Sequence, residues 1–270
     1  MMLELEDHEH ASFVTLTYSE DNLRFTSSGA ATLSPEDLRN FFKRFRRAIA
    51  PKRIRYYACG EYGDQTERPH YHLALFGWPP CAWGRSRYTK FRTRCCASCD
   101  LLRSVWGFGN IDVGLLERAS AGYVAGYVIK KMTSKDDIRL NGRYPEFSRQ
   151  SRRPGIGLNA LHNVASTLLQ YELNESQTDV PSVLRHGSKL MPLGRYLRRK
   201  LRMMVGKDEK APEEILKALE QEVRNVWFDS QVDEKAEKPI SIREAVMKKG
   251  AQSALNLETR SKIMKSRRSI

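Results

Sequence analysis

No stretch of the 270 residues approaches the roughly 18 consecutive apolar positions that a membrane-spanning helix needs. The opening run Met1-Met2-Leu3-Glu4-Leu5-Glu6-Asp7 is acidic where a secretory signal would be basic. These two absences predict a soluble, cytoplasmic chain with no membrane partner. Cysteine is scarce, with five in all, and without a leader those five point to reduced thiols or a metal site in preference to disulfides. Acidic residues are also short of balance. Thirty-two acids face 46 lysines and arginines, a net charge of +14 with a pI near 9.7. An excess of that size calls for a polyanionic partner, most simply nucleic acid, although ribosome or membrane-surface binding would satisfy the number as well.

What the sequence does contain is a stretch that organises the rest, Arg68-Pro69-His70-Tyr71-His72-Leu73-Ala74-Leu75-Phe76-Gly77. Side chains on a strand alternate between faces, so His70 and His72 share one face and Tyr71, Leu73 and Leu75 the other. The first face is chemical and the second is core. Two imidazoles roughly 7 Å apart at Cα can lean onto one divalent ion when a neighbouring strand supplies a third ligand. Glu61 is the candidate, because it ends the run Ile54 to Glu61 and the polar turn 63–69 brings the chain back antiparallel. Asp64 and Glu67 in that turn are possible substitutes. A pair of hydrogen-bonded strand histidines is the plain alternative. His8-Glu9-His10 has the same spacing but lies in an acidic, aperiodic leader, expected to be a frayed terminus.

Downstream, the run 119–132 places Tyr123 and Tyr127 at i and i+4 of a helix, with Lys130 on the same stripe and Lys131 beside it. Such tyrosines can simply fill a core. A phenol is also a usable nucleophile toward phosphodiesters when a cation lowers its pKa and a metal polarises the phosphate.

Together these motifs resemble the HUH rolling-circle replication initiators, with Tyr71 at the hydrophobic U position. The combination is most similar to the initiators of microviruses, small single-stranded DNA bacteriophages that pair HUH with a Tyr-x-x-x-Tyr-x-x-Lys helix. Phe13 to Tyr18 resembles the first motif of that family, and Ser151-Arg152-Arg153-Pro154-Gly155-Ile156-Gly157 a basic loop of this branch. The resemblance implies a divalent metal, Mg2+ or Mn2+, held by Glu61, His70 and His72. It implies alternating nucleophiles Tyr123 and Tyr127, assistance from Lys130, and DNA contacts from Lys131, Arg152 and Arg153. It further implies nicking and rejoining of single-stranded DNA at a viral origin through a 5′-phosphotyrosyl intermediate, with a host helicase and polymerase, in the cytoplasm of a bacterial host. A single-tyrosine HUH plasmid initiator or transposase, and a non-catalytic basic nucleic-acid-binding protein, remain as alternatives.

In chain order, a strand at 12–18 puts Thr15 and Thr17 on one face with Phe13, bordering the site. Ser34-Pro35-Glu36-Asp37 starts a helix whose apolar stripe is Leu38, Phe41, Phe42, Phe45 and Ile49, while Arg39, Lys43, Arg46 and Arg47 form a basic face that can line a DNA track. Strands at 53–61 and 70–77, a helix at 101–106, a strand at 111–116 and the tyrosine helix complete an α+β fold. In it, helices pack on one face of an antiparallel sheet, the RRM/ferredoxin-like core of HUH endonucleases. A basic insertion at 79–100 carries Cys81, Cys95, Cys96 and Cys99, which make either a tetrahedral Zn2+ knuckle or a loop with free thiols. We expect an endonuclease domain over 1–175 and a basic helical region over 181–270, where 21 lysines and arginines face 12 acids.

Overall fold

The computed structural model describes residues 1–63, 65–88, 93–130, 138–231 and 241–250; the side chains of 126–130 and of 231 are outside that description. The first unit runs from α1 (Met2–Glu6) through β1 (Ala11–Tyr18), α2 (Pro35–Ala48), β2 (Arg55–Tyr62) and β3 (Pro69–Phe76). It continues with α3 (Ala97–Trp106), β4 (Gly109–Leu115), α4 (Arg118–Lys130) and β5 (Phe147–Gln150). The five strands form one antiparallel sheet in the order β4-β1-β3-β2-β5. The sequence of strands and helices from β1 to α4 is the one that hydrophobic periodicity anticipates.

Alternation sorts the sheet into two faces. Val14, Leu16 and Tyr18 of β1 and Tyr71, Leu73 and Leu75 of β3 pack under Leu38, Phe41, Phe42 and Phe45 of α2 and Leu102 and Trp106 of α3. On the other face Ala11, Phe13, Ala74 and Phe76 meet Leu116, Ala121 at the start of α4, and Met1, Met2 and Leu5 of α1. α2 begins as its sequence requires. Ser34 caps it by accepting from Asp37 N at 3.1 Å, and Pro35 occupies the first turn.

Tyr71 resolves the difficulty of a phenol in the U position. The side chain is fully buried, yet its hydroxyl accepts from Ser34 N (2.8 Å), donates to Ser34 O (2.9 Å) and lies 2.8 Å from the hydroxyl of Tyr18. Tyr18 in turn donates to Asp37 (2.9 Å), which Arg24 grips with two further bonds. Burial pushes both phenols well above their ordinary pKa.

Three expectations are corrected. The acidic leader is not frayed: Glu4 is buried, receives Arg55 Nε and Gly157 N (2.6 Å), and pairs with His8, while Gly77 N donates to His10 O. A helix of five residues is too short to show periodicity, and the partners of Glu4 are distant in sequence. β5 escaped notice because four edge residues held by backbone bonds to β2 need no alternation. Residues 183–192 are also not helical. They form a hairpin of β6 (Val183–His186) and β7 (Lys189–Pro192), turned by Gly187-Ser188 with Gly187 at φ +57°.

α5 (Leu161–Gln170) and α6 (Leu173–Ser176) precede the hairpin, and α7 (Gly194–Met204) and α8 (Glu213–Gln231) follow it. The chain separates into two compact units, 1–167 with 183–197, and 168–182 with 198–270. In the second, Arg202 and then Arg198 hold Asp179, whose carboxyl falls to about 2. Ser241 and Glu244 form the expected capping box. No helix among the described residues is long and apolar enough to cross a membrane.

Two stability predictions follow from these contacts. Tyr71→Phe leaves Ser34 N without its acceptor and should cost about 1–3 kcal/mol, read by chemical denaturation; an unchanged midpoint would contradict the network. Glu4→Ala breaks a buried pair and should cost about 3 kcal/mol at neutral pH. Burial pushes the Glu4 carboxyl up, but hydrogen bonds from Gly157, Arg55 and His8 outweigh it and hold the group below its usual value. Its contribution is therefore full above the unfolded value of about 4.3 and lost as pH falls through the lower folded value. Wild-type and variant stabilities should converge in acid, and a constant gap would count against the ion pair.

Candidate active site

Sheet register assembles a site from residues far apart in sequence. Directly paired residues fall in two rows on the face opposite α2: Asn110, Thr17, His70 and Glu61 in one, Asp112, Thr15, His72 and Cys59 in the next. His70 Nε2 lies 2.7 Å and His72 Nε2 2.9 Å from Glu61 Oε1, and the two imidazole centroids are 4.9 Å apart. One ligand atom from each of the three residues falls within 4.8 Å of the others.

The donor set fits a cation. His70 Nδ1 donates to the Arg68 carbonyl at 3.0 Å, so the Nε2 of a neutral ring presents a lone pair to a carboxylate oxygen. Two acceptors at 2.7 Å repel unless a proton or a metal lies between them. Glu61 is buried, and its Oε2 has no hydrogen-bond partner among the described residues. Burial raises the Glu61 carboxyl, but hydrogen bonds from His70 and His72 and their charge outweigh that and leave it below the usual carboxylate range. His72 is held from behind by Thr15 Oγ1 at 2.9 Å and by Phe13, stacked at 5.4 Å. The hydroxyl face of β1 does border the site.

Tyr123 of α4 joins this cluster. Its ring packs edge-on to His72 at 5.3 Å and to Phe13 at 6.2 Å, and it is 47% exposed, which leaves the phenol open to a ligand. Tyr127 and Lys130 occupy the following turns of the helix, but their side chains are outside the described residues, as is Lys131 entirely. Asp64 is likewise outside them. Glu67 is turned away to Arg143 at 3.0 Å and is 66% exposed, so of the possible substitutes for Glu61 it is not one the geometry favours. Arg152 and Arg153 are exposed, in a loop whose carbonyls at Pro154 and Gly155 accept from Arg55. Gly155 lies under the Tyr196 ring, so close that an added Cβ would fall 2.5 Å from it. The basic residues Arg39, Lys43 and Arg46 line a groove with Tyr56, Tyr144 and Arg149 on the α2 side of the sheet, away from the histidines. The DNA track read from that helix is thus not contiguous with the ligand cluster.

A family model of the replication-associated protein ORF2 matches residues 11–132, the segment that holds β1 to α4. That segment belongs to the replication-associated ORF2 family. Relatives of the replication-associated chain include ORF4 of Chlamydia phage 1, 28% identical over 86% of this chain and 56% of the relative. They also include ORF2 of Spiroplasma virus 4 (32%, 56% and 47%) and VP4 of Bdellovibrio phage phiMH2K (33%, 54% and 46%). All three are described as replication-associated proteins, and the chain spans about half the length of each. No solved structure matches it.

In this replication-associated domain Thr15 was legible only as a face-mate of Phe13, yet it orients a candidate ligand. Partners of metal-bound imidazoles typically contribute about 10–100-fold to affinity. Thr15→Val should therefore weaken Mn2+ binding about tenfold, and His72→Ala should abolish it, as read by the resonance signal of free Mn2+. Wild-type affinity in both variants would exclude the cluster as a metal site.

Proposed function

We propose that the chain is a metal-dependent nicking and rejoining enzyme for single-stranded DNA, acting as a phage rolling-circle replication initiator. The observation that carries this reading is Tyr123 lying against His72 at the edge of the Glu61, His70 and His72 cluster. A simple DNA-binding surface needs neither the ligand cluster nor a phenol beside it. The relatives, by their descriptions, are replication-associated, which agrees with the same reading.

A divalent ion, Mg2+ or Mn2+, would polarise the scissile phosphate and draw charge from its oxygens. The chain's own residues do the rest. Thr15 and the Arg68 carbonyl fix the two imidazoles, so the ligand atoms converge before DNA arrives. The Tyr123 phenolate oxygen attacks phosphorus in line, the P–O bond to the 3′ oxygen breaks, and that oxygen leaves as a 3′-hydroxyl after taking a proton. The 5′ phosphate remains on the tyrosine. Attack by a 3′-hydroxyl on that phosphotyrosine reverses the step and closes a circle. Tyr127 is proposed as the second nucleophile and Lys130 as the cation that stabilises phenolate or phosphate charge. Lys131, Arg152 and Arg153 are proposed as phosphate contacts. A host helicase and polymerase would work from the freed 3′ end.

Other tyrosines on the sheet are poor nucleophiles. Tyr71 and Tyr18 are buried on the opposite face, and burial raises the phenols of Tyr62 and Tyr57. The test is covalent trapping of an end-labelled single-stranded oligonucleotide with Mn2+, followed by peptide mapping. Each of Tyr123→Phe and Tyr127→Phe should retain some adduct and lose most circular product, and the double variant should form none. Lys130→Ala should slow both steps by about 2–4 kcal/mol in barrier. An adduct on Tyr57, Tyr62 or Tyr71 would overturn the assignment. Normal circularisation with one of the two helix tyrosines removed would instead mark a single-tyrosine enzyme, and binding with no adduct under any metal a non-catalytic protein.

A further inference from the structure

The second ligand cluster lies on the α2 and α3 side of the sheet, where Cys81 and Cys99 are part of the main core. The Sγ atoms of Cys81, Cys95, Cys96 and Cys99 all fall within 4.8 Å of one another, and Cys81 and Cys95 are 3.5 Å apart. A tetrahedral Zn2+ with Zn–S bonds of about 2.3 Å sets its sulfurs roughly 3.8 Å apart, so these four need shift by no more than about 1 Å to share an ion. A disulfide needs sulfurs about 2 Å apart, and all four thiols are free.

The backbone around the sulfurs is arranged for thiolates. Cys96 Sγ accepts from the backbone N–H groups of Ala82 and Cys99 and lies 3.2 Å from Ser98 Oγ, and Cys81 Sγ accepts from the N–H of Trp83. Sulfurs that carry negative charge are stabilised by such donors, as they are by the start of a helix. Cys96 is the N-cap of α3 in extended conformation (φ −91°, ψ 163°), and Cys99 stands in the first turn. That placement removes the objection to adjacent Cys95 and Cys96, because Cys95 precedes the cap and Cys96 begins the turn. Asp100 anchors the entry by accepting from Cys95 N (2.8 Å) and the Tyr88 hydroxyl (2.7 Å).

We propose that Cys81, Cys95, Cys96 and Cys99 bind one structural Zn2+. The ion ties the segment after β3 to the start of α3 and closes the basic connection that holds Arg85, Arg87 and Arg94. α3 hands that constraint to the sheet. Trp106 Nε1 donates to Thr17 O at 3.0 Å, and Arg44 on α2 donates to the carbonyls of Val105 and Trp106. The four sulfurs share no residue with the histidine cluster on the opposite face, so the two sites should load independently.

Elemental analysis of the full chain, purified reduced and without added metal, should give one zinc per chain. The His70→Ala/His72→Ala variant should keep that zinc and Cys96→Ser/Cys99→Ser should lose it. Because the cysteine variant can fail to fold, wild-type protein exchanged with Co2+ supplies a second readout. Intense visible bands of tetrahedral cobalt together with strong near-ultraviolet sulfur-to-cobalt charge transfer are expected, and addition of Zn2+ should bleach both. Removing the zinc should lower the melting temperature of the wild-type chain. The proposal fails if the purified chain holds iron or no metal, if the cobalt spectrum lacks charge transfer, or if the histidine variant rather than the cysteine variant loses the zinc.

Discussion

The two faces of β3 are fixed by one buried phenol. Tyr71 stands between His70 and His72 and points the other way, where its hydroxyl reaches both backbone groups of Ser34 and the oxygen of Tyr18. A strand slip of one residue would exchange the faces, burying two imidazoles and exposing Tyr71, Leu73 and Leu75. The hydrogen bonds make that exchange costlier still, because they would leave Ser34 and Asp37 without partners inside the core. They also join the strand to the cap of α2, so the same residues that begin the helix hold the register of the ligand strand.

Given that register, the ligand cluster is a consequence of pairing geometry. His70 stands opposite Glu61 and His72 opposite Thr15, so neighbours across the sheet meet without any loop having to be positioned. Three of the site's side chains come from central strands, where neither backbone edge is free to move. The arrangement brings a carboxylate and two imidazoles so close that they repel or share a proton, and a bound cation relieves that conflict. Glu61 remaining charged despite burial is the electrostatic sign of it.

Most of this was legible in the sequence because it rests on period two and on turn chemistry. His70 and His72 share a face by alternation alone, Glu61 follows from the polar turn, and Ser34-Pro35 announces α2. What was not legible depends on contacts between distant residues. Glu4 becomes an ordered part of the core face only through Arg55 and Gly157, and no local pattern in an acidic leader signals either. The same holds for β5, whose four residues are a strand because β2 has an open edge. In the hairpin at 183–192 the Gly187-Ser188 turn was present in the sequence but was outweighed by the basic composition around it. Adjacent Cys95 and Cys96 looked incompatible as ligands until the helix start between them gave each its own direction.

The nucleophile helix is the part of the site that the sheet does not fix. α4 is anchored at its start, where Ala121 and Val124 are buried, while Tyr123 between them faces outward over His72. An α-helix rises about 1.5 Å per residue, so position 127 lies roughly 6 Å further along the axis than position 123. Two phenols on such a helix cannot meet one phosphate in the same arrangement. The strands are paired on both sides at His70 and His72, so any exchange between the tyrosines has to come from the helix or from the DNA. Gly122 is relevant here. A Cβ at that position would touch nothing within 4 Å, so no close packing requires glycine, and glycine weakens a helix by about 1 kcal/mol relative to alanine. Rigidity is thus concentrated in the ligand strands, and the softer backbone lies in the element that carries the phenols.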